Sequence, residues 1–169
     1  MGKIINRIKK ERFVREFKKF ELSSAADKTC TFVGKKNIEI GAECSFGQAC
    51  EFIAYNSHLG QSLESSLKIG NDVLIAPDVM ITDHNHGMNP TISGGYSSQP
   101  LIVGMVRVDD GAWIGRGVCI LPNVIIGKHS VIGAGSIVTH DIPEYSMAAG
   151  NPAKVIKKYN KLTCEWENV

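Results

Sequence analysis

A six-residue repeat runs through most of this 169-residue chain and constrains its fold more than any other feature. In the second half an aliphatic residue recurs at every sixth position: Val108, Ile114, Ile120, Ile126, Ile132 and Val138. Four places after each comes a mostly small residue: Ala112, Val118, Val124, Ser130, Ser136 and Ile142. A period of six fits neither the helical period of 3.6 nor the long alternation of a plain strand.

The first half carries the same pattern less regularly, at Ile40, Phe46 and Phe52, and then at Leu63, Ile69, Ile75 and Ile81. Such a period is typical of a short strand, a turn and another short strand. Three units would close one triangular coil, with the aliphatic residues stacked inside, and each coil would bury its faces against its neighbours. The glycines after the aliphatic position, Gly115, Gly127 and Gly133, are expected to serve turns with unusual backbone angles. A β-sandwich is the alternative, but its turns recur at variable intervals of about 8–12 residues.

Two kinds of segment resemble a known family. The runs Ile114–Val118, Ile126–Ser130 and Ile132–Ser136 are similar to the hexapeptide repeats of the left-handed β-helix acyltransferases. The tail Ala149–Ile156 resembles the segment that follows their last coil, and the galactoside, maltose and surface-polysaccharide O-acetyltransferases are the most similar subgroup. The resemblance covers about residues 35–158 and implies an all-β fold, a left-handed parallel β-helix. The handedness comes from the resemblance and not from the spacing.

The chain is expected to contain an N-terminal basic helix (1–22), the β-helix domain (23–158) with a loop at 87–101, and a C-terminal tail (159–169). Residues 3–20 combine an apolar stripe with eight Lys or Arg against Glu11 and Glu16, and the tail is read as irregular or as a short helix. The N-terminal helix is expected to cap the open end of the coils. Alternatively, it makes peripheral contact with an anionic membrane through residues 3–20.

Composition excludes several classes. A net charge of +2 gives no argument for nucleic-acid binding. Five cysteines without a CxxC pair indicate reduced thiols and a cytoplasmic protein. No apolar run approaches the length of a transmembrane helix, and the N-terminus lacks the apolar core of a signal peptide.

The resemblance implies an enzyme, an acetyltransferase that uses acetyl-CoA as cosubstrate. Acetyl transfer from a thioester needs a base for the acceptor's proton and a donor that stabilises the oxyanion. His84, in the run Ile81–His84 where the long loop begins, matches the catalytic histidine of the resembling enzymes. Histidine suits this role because its pKa ordinarily lies near working pH. The resemblance also implies a homotrimer with active sites between subunits.

Further site residues follow from the resemblance. Those expected to hold coenzyme A are Trp113, Arg116, Ala134, Thr139, His140, Lys154 and Lys157. Trp113 would line the channel of the pantetheine arm, and the two lysines would face the phosphates. Those expected to contact the acceptor are Asn56, Glu64, Asp83, Asn85, His86 and Tyr96. Hydrogen-bonding groups and an aromatic face suit a sugar, so a sugar hydroxyl in surface polysaccharide biosynthesis is the expected acceptor.

Other functions remain open. The same machinery could act on an antibiotic, an amine or an amino acid, or the chain could be a structural β-helix without activity. A related branch of this fold binds zinc through three histidines and hydrates carbon dioxide. We expect no metal here, because His84 and His86 are expected to point to different faces and so not to share an ion. Binding of coenzyme A would separate the transferases from the other two classes.

Overall fold

The computed structural model describes residues 10–55, 57–58, 61–62 and 66–169, with no account of the side chains between 56 and 65. Three short strands form each coil, in chain order. The first coil contains β1 (Lys19–Phe20), β2 (Ala25–Ala26) and β3 (Thr31–Val33), and the second contains β4 (Ile38–Ile40), β5 (Ser45–Phe46) and β6 (Glu51–Ile53), followed by a hairpin of β7 (Ser57–His58) and β8 (Gln61–Ser62). The third coil contains β9 (Leu67–Ile69), β10 (Leu74–Ile75) and β11 (Met80–Thr82), followed by a second hairpin of β12 (His84–His86) and β13 (Leu101–Val103). The fourth contains β14 (Val106–Val108), β15 (Trp113–Ile114) and β16 (Cys119–Ile120), and the fifth contains β17 (Ile125–Ile126), β18 (Val131–Ile132) and β19 (Ile137–Val138). The chain continues through β20 (Ser146–Gly150), β21 (Ala153–Asn160) and β22 (Glu165–Asn168), and two 3₁₀ turns lie at Lys35–Asn37 and Tyr96–Ser98.

Equivalent strands of successive coils pair in parallel and build three sheets. The first sheet contains β1, β4, β9, β14 and β17; the second begins with β2, β5, β10, β15 and β18; the third contains β3, β6, β11, β16 and β19. This triangular stack of parallel coils confirms the predicted fold class, the left-handed parallel β-helix. Because the chain visits the three sheets in turn, the corner between the third and first sheets lies opposite the second sheet.

The repeat positions form the core, as the sequence predicts. The aliphatic set from Val108 to Val138 is at most 1% exposed, and Ser130 and Ser136 at the small positions are fully buried. Burying one such aliphatic side chain contributes about 1.5–3 kcal/mol relative to leaving it in water. Stacking of coils therefore stabilises the fold one layer at a time.

The glycine that follows the aliphatic position has a different role from the one predicted. The left-handed backbone conformation falls two residues later, for example at Gly117 (φ 68°) and His129 (φ 53°). At Gly115, a Cβ atom would lie 2.7 Å from the backbone nitrogen of Ala134 in the next coil. Glycine is needed there because the backbone of the neighbouring coil approaches closely, and not because of the turn angle.

Both ends of the chain also differ from the prediction. The N-terminal helix is described over residues 10–14; a bend follows it, and Lys19 already belongs to β1. Phe13 and Phe17, which belong to the apolar stripe predicted over residues 3–20, instead join Phe32 in a cluster that covers the first coil. The ring centroids of Phe13 and Phe17 are 5.1 Å apart, and those of Phe17 and Phe32 are also 5.1 Å apart. The end of the helix is set by this tertiary contact, which periodicity does not reveal.

The C-terminal segment is a β-structure and not an irregular tail or a helix. Strand β20 joins β18 in parallel, and β21 and β22 extend the second sheet in antiparallel fashion, which gives it eight strands. Residues 159–169 therefore continue the domain in which 23–158 lie. In the part of the chain that the structure describes, no helix has the length and apolarity required to cross a bilayer.

Candidate active site

The loop that interrupts the repeat leaves the coil at the corner between the third and first sheets. Strand β11 ends at Thr82, and β12 turns outward to pair with β13 in antiparallel fashion, with His84 opposite Val103. The backbone N–H of Gly104 donates to the carbonyl of Asp83 at 2.7 Å where the chain returns. Regular pairing therefore fixes the start of the excursion, and the segment between the two strands, 87–100, agrees with the predicted loop 87–101 to within one residue.

Asp83 and His84 form a hydrogen-bonded pair at this corner. The carboxylate oxygen Oδ1 of Asp83 lies 3.0 Å from Nδ1 of His84, and it also accepts the backbone N–H of Tyr55 at 3.0 Å. Asp83 is fully buried, whereas the His84 side chain is 19% exposed. A carboxylate at Nδ1 favours the tautomer that carries the proton on this atom, which leaves Nε2 as an acceptor.

The burial of Asp83 corrects one prediction. This residue was expected to contact the acceptor, but its side chain has no exposed surface from which to do so. Its second carboxylate oxygen, Oδ2, is buried and has no hydrogen-bond partner among the described residues. The aspartate therefore lies in the interior, at the Nδ1 side of the His84 ring.

Tyr55 is a neighbour of His84 that the sequence did not reveal. Its ring centroid lies 4.9 Å from that of His84, with the planes inclined by 49°, and its side chain is 41% exposed. The pairing of Ile53 with Thr82 sets Tyr55 beside His84, one coil earlier at the same corner. The insertion between β6 and β9 breaks the period, so that counting by six does not connect these two residues.

The other predicted acceptor residues fall into three groups. His84 and His86 share one face of β12, because residues two apart on a strand point the same way, and the expectation that they diverge is wrong. Asn85 and Tyr96 are exposed, on β12 and on the 3₁₀ turn of the loop respectively. Asn56 and Glu64 lie outside the residues that the structure describes.

Gln99 holds the loop in shape. It is 2% exposed, accepts the backbone N–H of Asn89 at 2.9 Å through Oε1, and donates to the carbonyl of Asn89 at 2.8 Å through Nε2. The amide thus pairs with one peptide group as a neighbouring strand would. A buried amide that makes two hydrogen bonds to the backbone holds the loop at Asn89 and is not exposed to a ligand.

Most of the predicted coenzyme A residues lie on the second sheet or next to it. Register pairs Leu74 with Trp113, Trp113 with Val131, Val131 with Met147, and Met147 with Lys157. Paired residues point to the same side of a sheet, so this row lies on the outer face, where Trp113 is 50% exposed. Lys154 pairs with Ala149 on the same face.

The remaining residues of this set lie on two corners. Arg116 forms an exposed ion pair with Asp78 at 2.8 Å, and Gly135, next to Ala134, donates its N–H to the Arg116 carbonyl. Arg116 and Ala134 therefore lie at the corner between the second and third sheets. Thr139 and His140, whose Oγ1 and Nδ1 atoms are 2.7 Å apart, lie instead at the corner of His84, two coils further on.

Four cysteines that are buried or partly buried have poor nucleophilic character. Burial raises the pKa of the Cys50 thiol to about 11 and also raises the pKa values of Cys30, Cys44 and Cys119. Thiolates are the reactive form, so a covalent acetyl-cysteine at these positions is disfavoured. Among the described residues, no group of three or more His, Cys, Asp or Glu side chains is arranged to hold a metal ion.

Comparison with known proteins identifies the family. Residues 105–140 match the model described as bacterial transferase hexapeptide (six repeats). Over 133 residues the chain is 39% identical to a candidate lipopolysaccharide biosynthesis O-acetyl transferase of Escherichia coli, WbbJ, a match that covers 73% of this chain and 68% of that protein. This chain belongs to the hexapeptide-repeat acetyltransferase family. The predicted family and enzyme class are thereby confirmed.

Two further relatives agree in sequence and in fold. The galactoside O-acetyltransferase of Lactococcus lactis is 34% identical over 137 residues, which cover 72% of this chain and 63% of that enzyme. A maltose O-acetyltransferase from Clostridium difficile 630 superposes with a TM-score of 0.73 at 32% identity, and covers 89% of this chain and 75% of that structure. A galactoside acetyltransferase solved in complex with coenzyme A superposes with a TM-score of 0.67 at 28% identity, over 92% of this chain and 82% of that one.

Proposed function

We propose that this protein transfers the acetyl group of acetyl-CoA to a hydroxyl group of a sugar, and that His84 is the general base. The observation that carries the proposal is the pair formed by buried Asp83 and partly exposed His84. The Nε2 atom of His84 takes the proton of the acceptor hydroxyl as its oxygen attacks the thioester carbonyl. The C–S bond then breaks, and the imidazolium returns the proton to the coenzyme A thiolate. General-base catalysis of this kind contributes about 10²–10⁴-fold.

Asp83 is proposed as a positioning residue that fixes the His84 ring and its tautomer. Asp83→Asn keeps the shape of the side chain but can present an amide N–H to Nδ1, which favours the wrong tautomer. We expect turnover to fall by about 10–100-fold with little change in the KM for acetyl-CoA, an effect smaller than loss of the base itself. The pH profile of turnover should shift as well. A normal pH profile together with normal turnover would show that the carboxylate has only a structural role.

The donor is proposed to lie along the outer row of the second sheet. Trp113, Val131 and Met147 offer an apolar track for the pantetheine arm, and the row ends at Lys157, with Lys154 nearby for the phosphates. Successive strands are spaced by about 4.8 Å, so Trp113 and Lys157 are about 14 Å apart along the stack. An extended ligand with an apolar middle and an anionic end fits such a track.

This placement requires more than one copy of the chain. His84 lies at the corner opposite the second sheet, so the Trp113 face and the base of one chain point away from each other. A neighbouring copy can bring its second sheet to the His84 corner, which gives one site at each interface. We therefore propose a homotrimer of about 55 kDa, built from chains of 18.4 kDa with closed cyclic symmetry.

The proposed acceptor is a saccharide, and acetyl transfer to a surface polysaccharide or its precursor is the preferred setting. Support comes from the relatives, whose names specify galactoside, maltose and lipopolysaccharide. It also comes from the exposed polar groups of Asn85 and His86, next to the base on β12, and of Tyr96 on the loop between β12 and β13. A screen of acetyl-CoA against sugars, amino acids, amines and antibiotics tests the proposal. Turnover on an amine or an antibiotic far above that on every saccharide would contradict it, while leaving the His84 mechanism intact.

Tyr55 is proposed to contact the acceptor through its ring. An aromatic face beside the base can pack against the C–H groups of a pyranose. Tyr55→Ala should raise the KM for a sugar acceptor by about tenfold, the size of one lost aromatic contact, and leave the KM for acetyl-CoA unchanged. Tyr55→Phe, which keeps the ring and the backbone N–H to Asp83, is the matched control and should stay near the parent value. Equal effects of both changes would contradict a role of the ring.

A further inference from the structure

The N-terminal end of the coil stack is basic, whereas the rest of the molecule is acidic. Residues 10–39, the described N-terminal part, contain eight Lys or Arg against five Asp or Glu, and residues 40–169 contain eight against 12. A net charge of +2 for the whole chain conceals this separation. Charge divided along the long axis of a molecule orients it near a charged partner.

Part of the basic charge is compensated within the protein. Lys18 pairs with Glu39 at 2.7 Å, Lys19 with Glu21 at 3.3 Å, and Lys35 with Glu16 at 2.6 Å. A second set of cations is exposed and has no carboxylate within 4 Å among the described residues: Lys10, Arg12, Arg15, Lys28 and Lys36. These five residues are called the basic end here; Lys10 and Arg12 lie on the helix that carries Phe13, and Arg15 follows it. Lys36 donates to the Arg15 carbonyl at 3.5 Å, and Lys10 and Lys28 line the same groove.

In the described part of the helix and the bend after it, the apolar side chains Phe13 and Phe17 are not available for insertion into a bilayer. Phe13 packs edge-on against Phe17 and lies 6.0 Å from Phe32, which stacks on Phe52 of the second coil. Withdrawing these rings would uncover the end of the core. These rings therefore do not insert into a membrane as the apolar face of an amphipathic helix does, and the described cations at this end supply the attraction.

A groove at the same end has the size and chemistry to receive part of a lipid. It has a volume of about 490 Å³, and its walls include Phe13, Phe20 and Ala25, with Lys10 and Lys28 among the lining residues. Ammonium groups next to an apolar wall match a lipid phosphate and the methylene groups beside it. This combination favours a lipid headgroup over a purely polyanionic partner.

We propose that the basic end docks on the surface of a bilayer that contains anionic phospholipid. The inference is independent of the acetyl-transfer chemistry. In a cyclic trimer whose symmetry axis runs along the coils, three basic ends share one face and act together on one surface. Docking of this kind would bring the enzyme to saccharides that are carried on lipids.

Vesicle binding tests the proposal with the full-length protein. The protein should co-float with phosphatidylcholine vesicles that contain about 30% phosphatidylglycerol and should not co-float with pure phosphatidylcholine vesicles. Binding should fall steeply between about 0.1 M and 0.5 M salt, because the attraction is screened within a Debye length. Equal binding to both vesicle types, or binding to neither, would overturn the proposal. Tighter binding to duplex DNA than to anionic vesicles at the same salt would do so too, because it would identify a nucleic-acid surface.

Matched triple variants locate the contact. Lys10→Gln, Arg15→Gln and Lys28→Gln together should lower the partition coefficient about a hundredfold. Lys128→Gln, Lys158→Gln and Lys161→Gln remove the same charge from the other end and should leave it within about twofold. Equal losses in the two triple variants would show that net charge, and not the basic end, determines binding. Thermal unfolding of both proteins confirms that neither triple has lost its fold.

Discussion

Replacing His84 with alanine is expected to lower turnover by about 10²–10⁴-fold, the usual contribution of a general base. The reason is the pair with Asp83: the carboxylate at 3.0 Å from Nδ1 directs the lone pair of Nε2 outward, and alanine removes the proton acceptor altogether. Affinity for coenzyme A should barely change, since the row proposed to bind it lies on the second sheet. Steady-state kinetics with a saccharide acceptor and calorimetry with coenzyme A measure the two quantities separately.

His86→Ala is the matched control for this prediction. His86 shares a face of β12 with His84, but it is exposed and lies two residues further along the strand from Asp83. Its loss should affect the acceptor KM more than turnover. If His86→Ala costs more turnover than His84→Ala, the base has been assigned to the wrong imidazole, and the Asp83 contact then serves to hold the start of the loop.

The six-residue period predicted the fold because it records packing directly. In the second half, the aliphatic side chains point into the coil, and the mostly small residues four places later are buried beside them. The period also predicted where regularity fails, and the excursion that starts at His84 lies at that break. What it did not reveal is interaction between segments. The helix ends where the phenylalanine cluster closes the first coil, and the final strands add to a sheet edge that the last coil provides.

The sequence predicted which residue types form the candidate site, but not which of their side chains are buried and which are exposed. The run Thr82–His84 indicated the base, yet the sequence gives no sign that Asp83 is fully buried behind it. That depends on the backbone of Ile53 and Tyr55, which reach it from the previous coil across an insertion. Likewise, Gln99 looks like an exposed polar residue of a loop and is in fact a clamp on Asn89. Burial and pairing across coils are properties of the fold, and no local pattern carries them.

A mixing experiment should show that each active site belongs to two chains. One variant, His84→Ala, lacks the base, and the other, Trp113→Ala with Lys157→Ala, has a weakened donor face. The base and the donor face lie on opposite sides of one chain, so each homotrimer should be nearly inactive at low acetyl-CoA. Co-expression at equal amounts creates interfaces that join an intact base to an intact donor face. With random assembly into cyclic trimers, such interfaces are about a quarter of the total in the unfractionated mixture. A trimer that contains both variants has one such interface among its three, so about a third of the parent activity should return in the isolated mixed trimers.

Two measurements make this result decisive. The mixed trimers are isolated with two different affinity tags, and light scattering confirms their mass before the assay. Separately purified variants, mixed without exchange of subunits, provide the control and should show only the average of their residual activities. The same average in the co-expressed trimers would mean that base and donor face of one chain serve one site. The row from Trp113 to Lys157 would then have to be abandoned as the track for coenzyme A, because that face and the His84 corner of a single chain point in opposite directions.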